Sequence, residues 1–231
     1  MHSCLLILWR FNILKRIVSV IPKVILLLSV IVMPLVATAA IPNTQAVTPG
    51  NQTILIFGDS LSAAYGLQEN LGWVALLQAR LTQQKLAYTV VNSSISGETT
   101  SGGLNRYSQV IAMKRPGIVV LELGANDGLR GLKVSEMRAN LITMIRQTKT
   151  AKIVLVGMKI PPNYGLKYSR EFSASYALIA KQYNLSLVPF LLEGIAGKPS
   201  LIQDDGLHPT ADAQTPLLDN VWRVLEPLLK K

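Results

Sequence analysis

Ile54-Leu55-Ile56-Phe57-Gly58-Asp59-Ser60-Leu61-Ser62 is an apolar run that stops at a glycine and then presents a serine. Four apolar residues in a row read as a buried strand, and Gly-Asp-Ser reads as a strand-to-helix turn with Ser60 where the helix begins. In open α/β sheets ligands bind at the carboxyl ends of the strands, so Ser60 lies on the binding side. A turn serine standing alone is a helix cap. Its meaning therefore depends on what the remaining chain places beside it.

Downstream, Trp73, Val74, Leu76, Leu77 and Leu81 recur at helical spacing, which predicts an amphipathic helix over 72–84. A short β-branched strand over 88–91 ends at Asn92-Ser93-Ser94, the loop Ile95-Ser96-Gly97-Glu98-Thr99-Thr100 follows, and a helix over 104–114 is stopped by Pro116. The strongest strand pattern, 118–123, runs into Gly124-Ala125-Asn126-Asp127-Gly128, a second turn at a strand's carboxyl end. Helix 137–148, strand 153–156, a loop at 161–165, helix 172–183, strand 185–188 and a final helix over 211–229 complete the pattern. Strands alternating with helices predict a five-stranded parallel sheet covered on both faces.

Composition narrows the chemistry. Arg10, Lys15, Arg16 and Lys23 precede an uncharged apolar run from Val24 to Val36, and Ala37-Thr38-Ala39 supplies a small-x-small cleavage pattern. Residues 1–39 are expected to be an export signal, cleaved near Ala39/Ala40, with a polar lead-in at 40–52 and the enzyme domain at 53–231. A retained anchor is the alternative, since Val24 to Ile41 is 18 uncharged residues. Pro34 and the small residues before Ile41 favour cleavage. Four of the 23 basic residues and none of the 13 acidic ones lie before residue 40, leaving 19 against 13. Those 19 are scattered, so no nucleic-acid partner is expected. Cys4 and His2 fall within the signal, which leaves a mature chain without cysteine and with His208 as its single histidine. Thiolate chemistry, disulfides and a His-rich metal site are excluded by that arithmetic.

Four turn segments then carry polar residues that a fold of this kind does not need. Ser60 follows the first strand, Gly97 the second and Asn126 the third, and in a parallel sheet these share one edge. Asp205 and His208 precede the last helix. A serine attacks an acyl carbon when a base takes its proton, and histidine does so when a carboxylate fixes its tautomer. The i, i+3 spacing lets one loop carry Asp205 and His208 together. Backbone N–H groups of Ser60 and Gly97 and the Asn126 amide are available to an oxyanion, and a helix beginning at Ser60 would add its dipole. Spacing alone leaves Asp204 and Asp205 as rival orienters, and Gly97 and Asn126 taken singly also read as ordinary turn residues. Asp59 and Asp127 read as structural carboxylates.

These blocks resemble those of the GDSL, or SGNH, hydrolases. Gly58-Asp59-Ser60-Leu61-Ser62 matches the nucleophile block, Gly97 the glycine block, Gly124-Ala125-Asn126-Asp127 the Gly-x-Asn-Asp block and Asp205-Gly206-Leu207-His208 the Asp-x-x-His block, in order from about residue 53 onward. Gly128-Leu129-Arg130-Gly131, Pro162-Asn163-Tyr164-Gly165 and Gln203-Asp204-Asp205-Gly206-Leu207-His208-Pro209 are similar to the periplasmic branch described as arylesterase, acyl-CoA thioesterase and lysophospholipase. Glu98 stands where close relatives often carry aspartate. The resemblance implies a flavodoxin-like three-layer α/β/α fold, nucleophile Ser60, base His208, orienter Asp205 rather than Asp204, and an oxyanion hole of Ser60, Gly97 and Asn126.

The expectation is an exported, monomeric serine esterase without metal or cofactor, acting on small acyl esters or thioesters through an acyl-enzyme. A carbohydrate O-acetylesterase and a catalytically inactive binding module are the alternatives. Apolar and aromatic side chains of the 160–168 loop and Phe190 are candidates for an acyl groove or for core.

Overall fold

The computed structural model describes residues 52–229. The expected export signal and all of the lead-in before Gln52 lie outside the described residues. Five strands, β1 (Thr53–Gly58), β2 (Thr89–Asn92), β3 (Ile118–Glu122), β4 (Lys152–Val156) and β5 (Ser186–Val188), form one parallel sheet in the order β2-β1-β3-β4-β5. This is the flavodoxin-like order, whose winding reverses between β1 and β3. Helices α1 (Trp73–Gln83), α2 (Thr100–Lys114), α3 (Ala125–Leu129), α4 (Val134–Gln147), α5 (Leu166–Tyr183) and α6 (Gln214–Leu225) connect and cover the strands. Helix α1 packs against α6, whereas α2, α4 and α5 pack in a row. These are the two outer layers that right-handed crossovers on opposite sides of the reversal require.

Burial explains why the central strands were the most legible. Ile54, Leu55, Ile56 and Phe57 in β1 and Ile118 through Leu121 in β3 are sealed between the helical layers, as a parallel sheet demands of continuous apolar runs. The edge strand β2 exposes Thr89 and Asn92. Truncating a fully buried side chain such as Leu121 to alanine removes roughly 2–5 kcal/mol. The β1/β3 register sets Gly58 beside Glu122, so the turns that follow these strands start side by side. A Cβ on Gly58 would stand 2.5 Å from Glu122 Oε2; only glycine permits that approach.

Several boundaries differ from expectation for local reasons. Helix α2 begins four residues early because Thr99 caps it, accepting from Gly102 N at 3.2 Å. Gly103 lies against Leu123 and Phe57, where a Cβ would stand 2.5 Å from Leu123 Cδ1. Gly103 is thus a close contact between helix and sheet. Helix α5 starts at Leu166, six residues before its first deeply buried residue, Phe172, and that exposed turn has no apolar period to reveal it. Helix α3 replaces an expected turn. The last helix is shorter than expected, Gln214–Leu225, with 3₁₀ turns on both sides. The expected helix at Ser60 is absent: residues 59–66 form a tight turn in which Ala64 adopts a left-handed φ of 57°. A helix dipole therefore contributes nothing at Ser60.

Candidate active site

The turn after β1 is held by side chains rather than by a helix. Asp59 Oδ1 accepts from Leu61 N at 3.0 Å, the local bond that makes aspartate a turn former. Ser62 Oγ donates to Glu122 Oε2 at 2.7 Å, Trp73 Nε1 donates to Leu61 O at 3.1 Å, and Asn92 Nδ2 donates to Ser62 O at 2.8 Å. Ser60 borders a groove of about 690 Å³, which Leu61 and Tyr65 of the same turn also line.

Across that groove, the loop between β5 and α6 brings up His208. Its Nε2 lies 2.8 Å from Ser60 Oγ, and its Nδ1 lies 2.6 Å from Asp205 Oδ2. Asp205 Oδ1 accepts from both Leu207 N and His208 N at 2.9 Å. These contacts, led by the His208 N–H, hold the Asp205 carboxyl down at about 2. With Nδ1–H donated to that carboxylate, the Nε2 lone pair faces the Ser60 hydroxyl, which donates to it. Asp204, the rival orienter, is exposed and makes no hydrogen bond to the described residues.

Two residues to which sequence reasoning gave no role join the two loops. Gln203 Nε2 donates to Tyr65 O at 2.9 Å and to Pro209 O at 2.8 Å, so one amide ties the Ser60 turn to the His208 loop. Gln203 N also donates to His208 O at 2.7 Å beside the Ile202–Pro209 bridge. The Tyr65 ring lies 4.3 Å from the imidazole. No motif spacing signals this pair, since residues 65 and 203 meet only through the fold.

The remaining expected donors also converge. Gly97 has a φ of 78°, a conformation that suits glycine, and its carbonyl accepts from Arg130 Nη2 at 2.9 Å. Glu98 forms a two-bond ion pair with Arg106, whose guanidinium lies 4.0 Å over the Phe57 ring, anchoring this loop to the sheet. Neither the Ser60 nor the Gly97 N–H donates to an acceptor among the described residues. Asn126, in the first turn of α3, donates its amide to Asp59 Oδ2 and to Glu98 O, each at 3.1 Å. Asp127 accepts from Thr100 N at 2.8 Å and Thr100 Oγ1 at 2.6 Å. It thereby satisfies the start of α2 from another element.

The groove beside these groups is lined by Met158, Ile160, Phe190, Leu192, Ile202 and Leu207, among others. Of the aromatic and apolar candidates, Ile160, Pro161 and Phe190 reach it, whereas Tyr168 donates to Leu132 O at 2.6 Å. Tyr164 is not among the lining residues.

Beneath the turn, burial dominates the electrostatics. It pushes Asp59 up to about 7, opposed by the Leu61 N–H and the Asn126 amide and reinforced by Asp127 and Glu98. It pushes Glu122 well above the ordinary carboxylate range, with Asp59 adding to the effect. Both groups are raised above their unfolded values of 3.8 and 4.5. The Asp59 contribution to stability is thus full below about pH 4 and is lost as pH rises through about 7, and the Glu122 shift acts in the same direction. Melting temperatures taken across that window are expected to fall with rising pH, and Asp59→Asn to flatten the decline. A wild-type curve that rose instead would contradict the burial argument.

Comparison with known proteins bears on this site as a whole. The GDSL-like Lipase/Acylhydrolase family model matches residues 56–215. Over 180 residues, 77% of this chain and 90% of the relative, the sequence is 49% identical to esterase TesA of Pseudomonas aeruginosa. The crystal structure of TesA superposes with a TM-score of 0.75, covering 77% of this chain and all of that one. The thioesterase 1/protease 1/lysophospholipase L1 of Escherichia coli is 39% identical over 179 residues, 77% of this chain and 85% of the relative. The psychrotrophic esterase EstA from Pseudoalteromonas sp., solved inhibited by monoethylphosphonate, is 42% identical with a TM-score of 0.74 over 77% of this chain and 98% of that one. The chain belongs to the GDSL-like lipase/acylhydrolase family and is a serine ester hydrolase.

Proposed function

We propose that Ser60 is the nucleophile, His208 the general base and acid, and Asp205 its orienter, with the Ser60 and Gly97 N–H groups and the Asn126 amide as oxyanion donors. The observation that carries this reading is the continuous line Ser60 Oγ, His208 Nε2, His208 Nδ1, Asp205 Oδ2, with steps of 2.8 and 2.6 Å, at the edge of an apolar groove. In the first half-reaction Ser60 Oγ bonds to the acyl carbon while its proton passes to His208 Nε2. The tetrahedral oxyanion takes up the three donors, where charge develops only in the transition state. Collapse breaks the bond to the leaving alcohol or thiol, which takes the proton from His208. Water then repeats the sequence against the acyl-enzyme, releasing the carboxylic acid and restoring Ser60.

The substrate class follows from the groove and from the relatives. An acyl chain seated against Met158, Ile160, Phe190 and Leu192 suits fatty acyl esters and thioesters, including aryl esters, acyl-CoA and lysophospholipids. Esterase, thioesterase and lysophospholipase are the names carried by the relatives. No described helix is long and apolar enough to cross a membrane. The signal-like residues 1–39 support a hydrolase domain from residue 53 that is released into the periplasm or medium.

A chain-length series of p-nitrophenyl esters tests the substrate class. Each methylene buried in the groove contributes up to about 0.8 kcal/mol, so kcat/KM is expected to rise up to about fourfold per added carbon until the groove is filled. A steady fall from acetate onward would favour a carbohydrate O-acetylesterase, and no turnover of any ester would leave a binding module.

A further inference from the structure

The Asp59 and Glu122 carboxyls lie directly beneath the nucleophile turn, and the proton transfers of the proposed mechanism leave both unused. Their contacts divide unequally. Both Asp59 oxygens accept N–H donors: Oδ1 from Leu61 N at 3.0 Å and Oδ2 from the Asn126 amide at 3.1 Å. Glu122 accepts only at Oε2, from Ser62 Oγ at 2.7 Å and Asp59 N at 3.3 Å, while its Oε1 is buried without a hydrogen-bond partner. A buried carboxylate needs donors on both oxygens, whereas an unpartnered oxygen is tolerable on the uncharged acid. Two ionised carboxylates this close in a site without solvent are not sustained.

We infer that Glu122 holds the proton of this pair and that Asp59 is its carboxylate, a positioning residue that aims the Asn126 amide at the acyl oxygen. The inference rests on the oxyanion role proposed for Asn126. That amide has two hydrogens and two acceptors, Asp59 Oδ2 and the Glu98 carbonyl. When an oxyanion forms, the neutral carbonyl is the weaker competitor and gives up its hydrogen. Asp59 keeps the other, so the amide pivots about a fixed bond instead of drifting. The other acidic groups near Asp59 are already engaged: Asp127 serves Thr100 and Glu98 serves Arg106. Tyr176, above Gly124, feels the Glu122 carboxyl electrostatically but donates its hydroxyl to Leu123 O, not to Glu122. Glu122 in turn braces the backbone on both sides of Ser60, through Asp59 N and the Ser62 hydroxyl.

The test uses the full chain and p-nitrophenyl butyrate, comparing Asp59→Asn, Asn126→Ala and the double variant. Asparagine at 59 keeps an acceptor for Leu61 N but turns an N–H against the Asn126 amide. The expected result is a loss of roughly 10-fold to 100-fold in kcat at unchanged KM. The double variant is expected to be no slower than Asn126→Ala alone. Additive losses, or a loss confined to KM, would overturn the inference. Full kcat in Asn126→Ala would instead sink the oxyanion reading itself, which is a separate outcome. Infrared spectroscopy at about pH 8 supplies a second route, independent of whether Asp59→Asn folds. A protonated carboxylic acid band is expected in the wild type and is expected to vanish in Glu122→Gln. A missing wild-type band, or one that survived the substitution, would place the charge elsewhere and overturn the assignment.

Discussion

Ser60→Ala is expected to lower kcat by about 10⁶-fold while leaving the fold and substrate binding in place. The hydroxyl has one side-chain hydrogen bond, to His208, and projects into the groove rather than into the core. Its removal opens no cavity and strands no buried donor. The turn around it is held by Asp59, Ser62, Trp73 and Asn92, none of which depends on Ser60 Oγ. What survives should be the slow reaction of substrate held near the oxyanion donors with water, about 10³–10⁴-fold above the uncatalysed rate. A fluorophosphonate reagent is expected to add one label to the wild type and none to Ser60→Ala, read by intact-protein mass spectrometry. Labelling that persisted in the variant would remove Ser60 from the mechanism, because a single covalent nucleophile cannot be both absent and modified.

Asp205→Asn carries the second-largest expected effect, up to about 10⁴-fold in kcat. The asparagine Oδ1 can still accept from Leu207 and His208 N–H groups, so the loop should keep its shape. Its Nδ2, however, replaces the oxygen that receives His208 Nδ1–H. An amide N–H in that place selects the imidazole tautomer with its proton on Nε2, and a protonated Nε2 cannot take the proton of Ser60. Asp204→Asn is expected to change kcat little, since that side chain has no partner among the described residues. Equal losses in the two variants would end the assignment of Asp205. The pH dependence supplies a further check. Asp205 is held at about 2, below its ordinary 3.8, so it remains charged far into the acid range. Its contribution to stability is present above about pH 4 and is lost only as pH falls through about 2. An acid limb of kcat/KM well above that range is therefore not a titration of Asp205. The limb is expected to disappear together with activity in His208→Ala.

The positions of the site were legible because parallel strands impose direction. Once the apolar runs 54–57 and 118–123 are read as strands of one sheet, Ser60 and Asn126 must stand at the same edge. The histidine needed no geometry, since His208 is the only histidine after residue 2. Asp205 over Asp204 was different: spacing left both open, and the resemblance chose between them. In the fold Asp205 accepts two backbone N–H groups of its own loop, while Asp204 faces solvent. The start of α2 before the expected residue 104 was not legible, because Gly103 there serves a close packing contact with Leu123 and Phe57 that no local window shows.

Sequence by itself determined the sheet, its five strands and the residues that stand at its carboxyl edge, because hydrophobic period, turn chemistry and residue scarcity are all properties of the chain read in order. Tertiary structure alone decided how those residues are held. The Gln203 amide reaches Tyr65 across 138 positions, Glu122 lies under a turn 60 residues before it, and Asn126 meets Asp59 across 67. It also replaced the expected helix at Ser60 by a side-chain-braced turn, so the support of Ser60 comes from a buried carboxyl pair and not from a dipole. Long-range polar contacts of this kind leave no periodic trace, since each depends on two strands ending at the same height in a sheet that no local window can see.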